Sequence, residues 1–209
     1  MSETHEAPSP PTPRAPAFIA LRPIGSSLPL GFLALAIATF SFAVLQLEWI
    51  PKNQGHTIAW TVLLSTVPLQ AVVAVLAYAA RDTAPATAMG LLSGTWAGVC
   101  VATLTAKPGT FSEGLGTFLL AAGVCLLVPA VAALPRPWPP VVIGLSGVRF
   151  FLTGIAELND STSWLKVAGW VGLVLAVVSF AAAAVLVVQR STIGGSPALE
   201  DEPGVRAGV

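Results

Sequence analysis

The stretch GVRFFLTGIAELND, residues 147–160, places a guanidinium in the middle of one of the most apolar runs of the chain. Two acids and an amide, Glu157, Asp160 and Asn159, follow at its end. Arg149 carries a permanent charge. At mid-bilayer depth that charge costs from about 3 kcal/mol to several times as much. It must therefore face protein, water or a bound partner. Two roles suit it: a structural one, bonded to free carbonyls beside a Gly-rich or Pro-broken helix or snorkelling to an interface, and a functional one, a fixed positive charge beside a path for small anions. Glu157 lies two helical turns further on, about 12 Å along the axis, too far for a direct pair on one helix. Glu48, at the end of the first segment, is the other carboxylate placed to fold back. Glu157, Asn159 and Asp160 read either as a solvated helix end with a turn or as a pathway mouth where Glu157 exchanges protons.

Other chemistry is sparse. The two cysteines, Cys100 and Cys125, lack CxxC or Cys/His spacing and read as buried packing residues, and His5 and His56 are isolated. No metal site is expected. No Ser/His/Asp set, HExxH motif or nucleotide loop is present, so the chain does not read as an enzyme and needs no cofactor. Ten basic residues balance ten acidic ones, which argues against nucleic acid as a partner.

The elements that position Arg149 follow from composition. The chain is 55% hydrophobic and 10% charged, with a mean hydropathy of +0.80; an ordinary soluble domain is roughly a quarter charged. The lipid bilayer is the implied solvent. Six apolar segments of about 20 residues, the length a roughly 30 Å hydrocarbon core demands, run over 28–47, 57–80, 85–106, 114–134, 138–157 and 164–188. EWIPKNQGH, ARDTAP, AKPGTFSEG, PRPWPP and ELNDSTS interrupt them with Pro, Gly and charge. Uniformly apolar runs exclude a membrane β-barrel, whose strands alternate with period two. The fold class expected is all-α, a polytopic membrane protein of six transmembrane helices over 28–188. A Pro-rich tail (1–27) and an acidic tail (189–209) flank it, both read as disordered and without a signal peptide.

Six spans put both termini on one side. That side holds Arg14, Arg22, Arg81, Arg136, Arg190 and Arg206, against Lys52, Lys107 and Lys166 opposite. The positive-inside rule makes the arginine side cytoplasmic. Trp49, Trp60, Trp138 and Trp164 near segment ends read as interfacial belt residues. Gly90, Gly94 and Gly98 recur every four residues on one face of the third segment, and Gly169 and Gly172 lie in the sixth; both sets read as close helix packing. Ser93, Thr95 and Trp96, on other faces of the third segment, either line a path or bond their own helix. LPLGFLALA, TAMGLLSGT and VVIGLSGVR open the odd-numbered segments alike, as a repeat of three helix pairs would.

These residues resemble the YaaH-type acetate uptake transporter family, the six-helix succinate and acetate permeases, over about Pro29 to Val188. PLGFLALAI resembles the first-helix signature, ATAMGLLSGTW the third helix, and FLTGIAELNDSTSWLKVAGWVGLVLAVVSFAAA the end of the fifth helix and the sixth, with its A-G-W-x-G-L sequence. The resemblance implies a transporter or channel for small monocarboxylates in the inner or plasma membrane. It implies a homo-oligomer, a hexameric ring with a pore in each subunit, and an apolar constriction near Leu35, Trp96 and either Leu145 or Ser146. SSLPLG replaces the usual Asn-Pro-Ala opening, leaving Pro29, Leu30 and Gly31 matched, and Arg149 stands where typical members have an aliphatic residue. Both departures point to a divergent branch. The expected pathway thus comprises Pro29, Leu30, Gly31, Leu35, Thr95, Trp96, Leu145, Ser146 and Arg149, with Glu157 for proton coupling. The competing readings are a non-transporting membrane scaffold or accessory subunit and a transporter of another solute, such as ammonium.

Overall fold

Proline and glycine set the helix limits. The computed structural model describes residues 25–194, with side-chain environments given for 25–189, and among them all regular structure is helical. The helices are α1 (Leu28–Gln46), α2 (Gly55–Leu64), α3 (Thr66–Ala79), α4 (Thr83–Thr105), α5 (Glu113–Cys125), α6 (Leu127–Ala132), α7 (Pro139–Leu158) and α8 (Thr162–Gly194). A short 3-10 turn, Lys52–Gln54, precedes α2. Together they make six apolar spans long enough to cross a membrane, with α2–α3 and α5–α6 each forming one broken span. Pro29 and Pro139 sit in first turns, where a missing N–H is harmless.

The two breaks share a cause. Pro68 and Pro129 cannot donate to the carbonyls of Leu64 and Cys125, four residues back, and those are the residues at which α2 and α5 end. The first break is stitched from neighbouring helices: Thr66 Oγ1 donates to the Ala34 carbonyl at 3.0 Å, and Ser93 Oγ to the Val67 carbonyl at 2.9 Å.

Neighbouring contacts run α1 to α8, α8 to α7, α7 to α5 and α6, these to α4, α4 to α2 and α3, and α3 to α1, so the spans close a ring. The tightest seams differ from the expected ones. A Cβ on Gly116 would lie 3.0 Å from the Gly154 carbonyl oxygen, and one on Gly123 would lie 2.8 Å from that of Gly147, so α5 and α7 meet backbone to backbone. By contrast, Gly94 has open space where its Cβ would be, Gly90 meets only Ala74 at 3.9 Å, and Gly98 faces the Phe118 ring at 2.7 Å. The glycine row of α4 is therefore not a continuous seam within the chain, because most of that face points outward. Gly169 and Gly172 do pack closely, against Leu47 and against Arg149 with Ala43.

Cys100 is buried, but Cys125 is exposed on the outside of the bundle, which corrects the expectation for it. Span position alone does not say which face of a helix a residue occupies. The C-terminal helix continues past 188 to Gly194. The remaining tail residues, 1–24 and 195–209, lie outside the described residues. At the end carrying Leu28, Arg136 bonds Asp82 at 2.6 Å and ties two connections together.

Candidate functional site

Three parallel helices, α1, α4 and α7, bring the central side chains together. Trp96 of α4 lies between Phe42 of α1 and Phe150 of α7, each ring centroid 5.4 Å from its own. The Arg149 guanidinium stacks on Trp96, its Cζ 5.2 Å from the ring centroid, and Nη2 donates to Gln46 Oε1 at 3.4 Å. Glycine makes the slot: a Cβ at 172 would lie 2.7 Å from Arg149 Nε. Only glycine at that point of α8 leaves room for the charge.

Arg149 is 2% exposed, and its Nε and Nη1 are buried without a hydrogen-bond partner. That removes two of the structural roles: among the described residues the side chain bonds no backbone carbonyl, and it does not snorkel to an interface. A cation–π contact contributes about 0.5–2 kcal/mol, and a hydrogen bond from a charged donor about 1.5–3 kcal/mol. Burying an ion costs several kcal/mol even after relaxation. One long bond and one ring fall short of offsetting that. Among the described residues no ion pair involves Arg149, because Glu48 is bound to Lys52 at 3.1 Å and Lys166 at 3.0 Å instead of folding back. Those two lysines, Lys166 foremost, hold the Glu48 carboxyl below its usual range.

A vestibule of about 150 Å³ opens at the end of the ring opposite Leu28. Its mouth carries Glu48, Lys52, His56, Lys107 and Glu157, and its walls descend past Ala102, Thr103 and Leu115 to Phe42, Gln46, Val99, Leu119 and Thr153. Such a space holds several waters or one small carboxylate. Arg149 stands directly behind this floor: Gln46 accepts its hydrogen bond, and Thr153 Oγ1 donates to its backbone carbonyl at 3.0 Å. The rim is braced. His56 Nε2 lies 3.2 Å from the Ala106 carbonyl oxygen, and the Lys52 side chain crosses Gly109, whose φ of +81° suits glycine. Glu157 Oε2 accepts from the Ser112 N–H at 2.8 Å, while Ser112 Oγ accepts from Leu115 N–H and caps α5.

Other sequence-predicted residues lie on the far side of the aromatic cluster or off the axis. Leu35 and Ser146 are buried in the core and Leu145 is half-buried. Pro29 is buried in the first turn of α1, and Gly31 faces Met89 Sδ, 2.6 Å from where a Cβ would be. Leu30 is 41% exposed and points outward, away from the ring interior. The Thr95 and Ser146 hydroxyls donate to their own helices, at the Leu91 and Val142 carbonyls. Phe42, Gln46, Gln70, Phe150 and Thr153 were not singled out from sequence. Gln46 and Gln70 had a signal, as amides inside apolar spans. Gln70 is fully buried with both side-chain polar atoms unpartnered.

The fold is similar to that of the bacterial acetate channel SatP. The likeness covers 80% of this chain and 94% of that one, with a TM-score of 0.71 at 19% sequence identity. At that identity the likeness establishes the fold, a six-span helical membrane architecture, and it agrees with the family resemblance read from the sequence. No family model matches the chain, and no curated protein sequence matches it significantly.

Proposed function

We propose that this chain is a membrane passage for small organic anions of the acetate type, drawn into the vestibule by Arg149 standing behind its floor. The observation that carries the reading is the arrangement of Gln46, Thr153 and Arg149: a polar floor backed by a buried guanidinium without a carboxylate partner. Apolar walls favour small solutes that shed water easily, and the fixed charge raises the local concentration of anions. Beyond the aromatic cluster the route continues past Leu35, Leu145 and Ser146 toward Pro29 and Gly31. Glu157 at the vestibule mouth is the group we assign to proton exchange. Similarity to an acetate channel supports the solute class. The chain is read as a non-enzymatic, multi-pass protein of the inner or plasma membrane, with both termini cytoplasmic and several copies forming a homo-oligomer in which each subunit holds its own path.

The test is uptake of labelled acetate into proteoliposomes containing the purified full chain, with and without an inward proton gradient. Saturable uptake above protein-free vesicles is expected, faster with the gradient. Flux at background for acetate and succinate alike would reject this reading and favour a scaffold or a carrier of another solute.

A further inference from the structure

The interior of the ring gathers buried donors with no acceptor to serve them. Arg149 Nε and Nη1 and Trp96 Nε1 are all buried and unpartnered, and the two side chains are stacked on each other. Arginine has five N–H donors, no acceptor and no accessible neutral form. The candidate acids to balance it are engaged elsewhere, Glu48 by Lys52 and Lys166 and Glu157 by the Ser112 N–H at the vestibule rim. A buried ion needs a counter-charge.

We infer that Arg149, with Trp96 and Gln46, forms a resident site for one monovalent anion, and that this site selects by charge and ease of dehydration, not by carboxylate shape. The inference rests on the transport reading and names the ligand class of the same site. Several observations set that class. One fixed positive charge balances one negative charge, so a dianion such as sulfate or succinate would leave a second charge uncompensated in the interior. The surroundings are Phe42, Phe150, Ala43 and Gly172, which offer no hydrogen bonds from their side chains to replace a tightly held hydration shell. Weakly hydrated anions, nitrate and thiocyanate above chloride, therefore rank highest, and acetate is one member of the series. Nη2 already gives one of its two N–H groups to Gln46, and the unpartnered Nε and Nη1 face opposite edges of the guanidinium. Gln46 and Phe42 belong both to this site and to the vestibule floor, so the vestibule is the side from which an anion approaches it.

The experiment titrates sodium nitrate, thiocyanate, chloride, acetate and sulfate, at constant ionic strength balanced with gluconate, against the purified full chain in detergent, reading the thermal midpoint. A ligand that binds only the folded protein raises the midpoint in a saturable way. The same anions are then tested as inhibitors of acetate uptake. Over the gradual, non-saturating shift each salt gives by its general effect on hydration, we expect a saturable upward shift for nitrate and thiocyanate, a smaller one for chloride and none for sulfate. Nitrate should compete with acetate, and Trp96→Phe, which keeps the ring and removes one donor, should weaken nitrate binding several-fold. Arg149→Leu should abolish the shift. The anion ranking in the native chain decides the matter even if that variant does not fold: equal shifts with sulfate and nitrate, or none with any monoanion, overturn the inference. Acetate uptake that nitrate does not inhibit overturns it while leaving the transport reading standing. Nitrate binding without acetate uptake does the reverse.

Discussion

The two halves of the ring are built in opposite ways. Toward the Lys52 and Lys107 end the spans part around a vestibule with charged groups at its mouth and an amide and a hydroxyl at its floor. Toward the Leu28 end they close on Phe32, Leu35, Met89, Leu92, Val142 and Ile143, all essentially inaccessible, and Met89 packs directly over Gly31. The aromatic cluster of Phe42, Trp96 and Phe150 with Arg149 marks the change. The contrast teaches that the ring is open from one side to about mid-depth and closed on the other. On the proposed transport function, resistance to passage is concentrated in the closed half. Dense apolar packing resists gradual deformation, so opening that half requires a discrete rearrangement. The broken span α2–α3 lines it, with its Ser93 and Thr66 stitches and the unpartnered Gln70.

Filling the slot that holds the guanidinium should have the largest effect. Gly172→Val forces atoms into space occupied by Arg149 Nε, and acetate uptake should fall more than tenfold. Gly94→Val, which meets open space, should leave uptake within about twofold in the same assay. Equal losses in the two variants would show that Arg149 placement is not what matters.

Thiol labelling sharpens the contrast between the halves directly. In a background with Cys100 and Cys125 replaced by alanine, cysteine at Thr103 or Ala102 should react with a small water-soluble maleimide at least tenfold faster than cysteine at Leu35 or Leu92. Equal rates would erase the distinction between a wet half and a dry one.

The smallest effect concerns the rim. Glu48 is held ionised below its ordinary value of 4.5, chiefly by Lys166 and then Lys52. A depressed folded-state value means the contribution is complete above about pH 4.5 and is lost as pH falls through the lower folded value. The pair is solvent-exposed, so the contribution is small. The thermal midpoint of native protein minus that of Glu48→Gln should be slightly positive at pH 7 and shrink to zero in acid. A difference that grows on acidification would contradict the assignment.

The six spans were legible because a bilayer imposes length and apolarity on each segment independently. Boundaries such as Pro139 and Thr105 fall close to the expected ones for that reason. The oddity of Arg149 was also visible, since a charge there has to be explained. Its partners were not, because Gln46, Trp96 and Gly172 come from three other spans and only packing brings them together. Glycine spacing was informative only in part, for a related reason. A repeat every four residues marks a face of α4 but does not say what lies across it, whereas Gly116, Gly123, Gly147 and Gly154, spaced by seven in α5 and α7, make the backbone contact. Pro68 and Pro129 did carry a readable signal for the two breaks.

Arg149→Leu, read for acetate uptake and for thermal midpoint on the same preparation, tests the central claim most directly. Replacing an unpaired buried ion with an apolar side chain removes a desolvation penalty that outweighs the cavity left by the shorter leucine. If Arg149 serves the solute, uptake falls at least tenfold while the midpoint, measured without monovalent anions, stays level or rises. A midpoint that drops by several degrees would identify Arg149 as a structural pin and contradict the account, as would undiminished uptake.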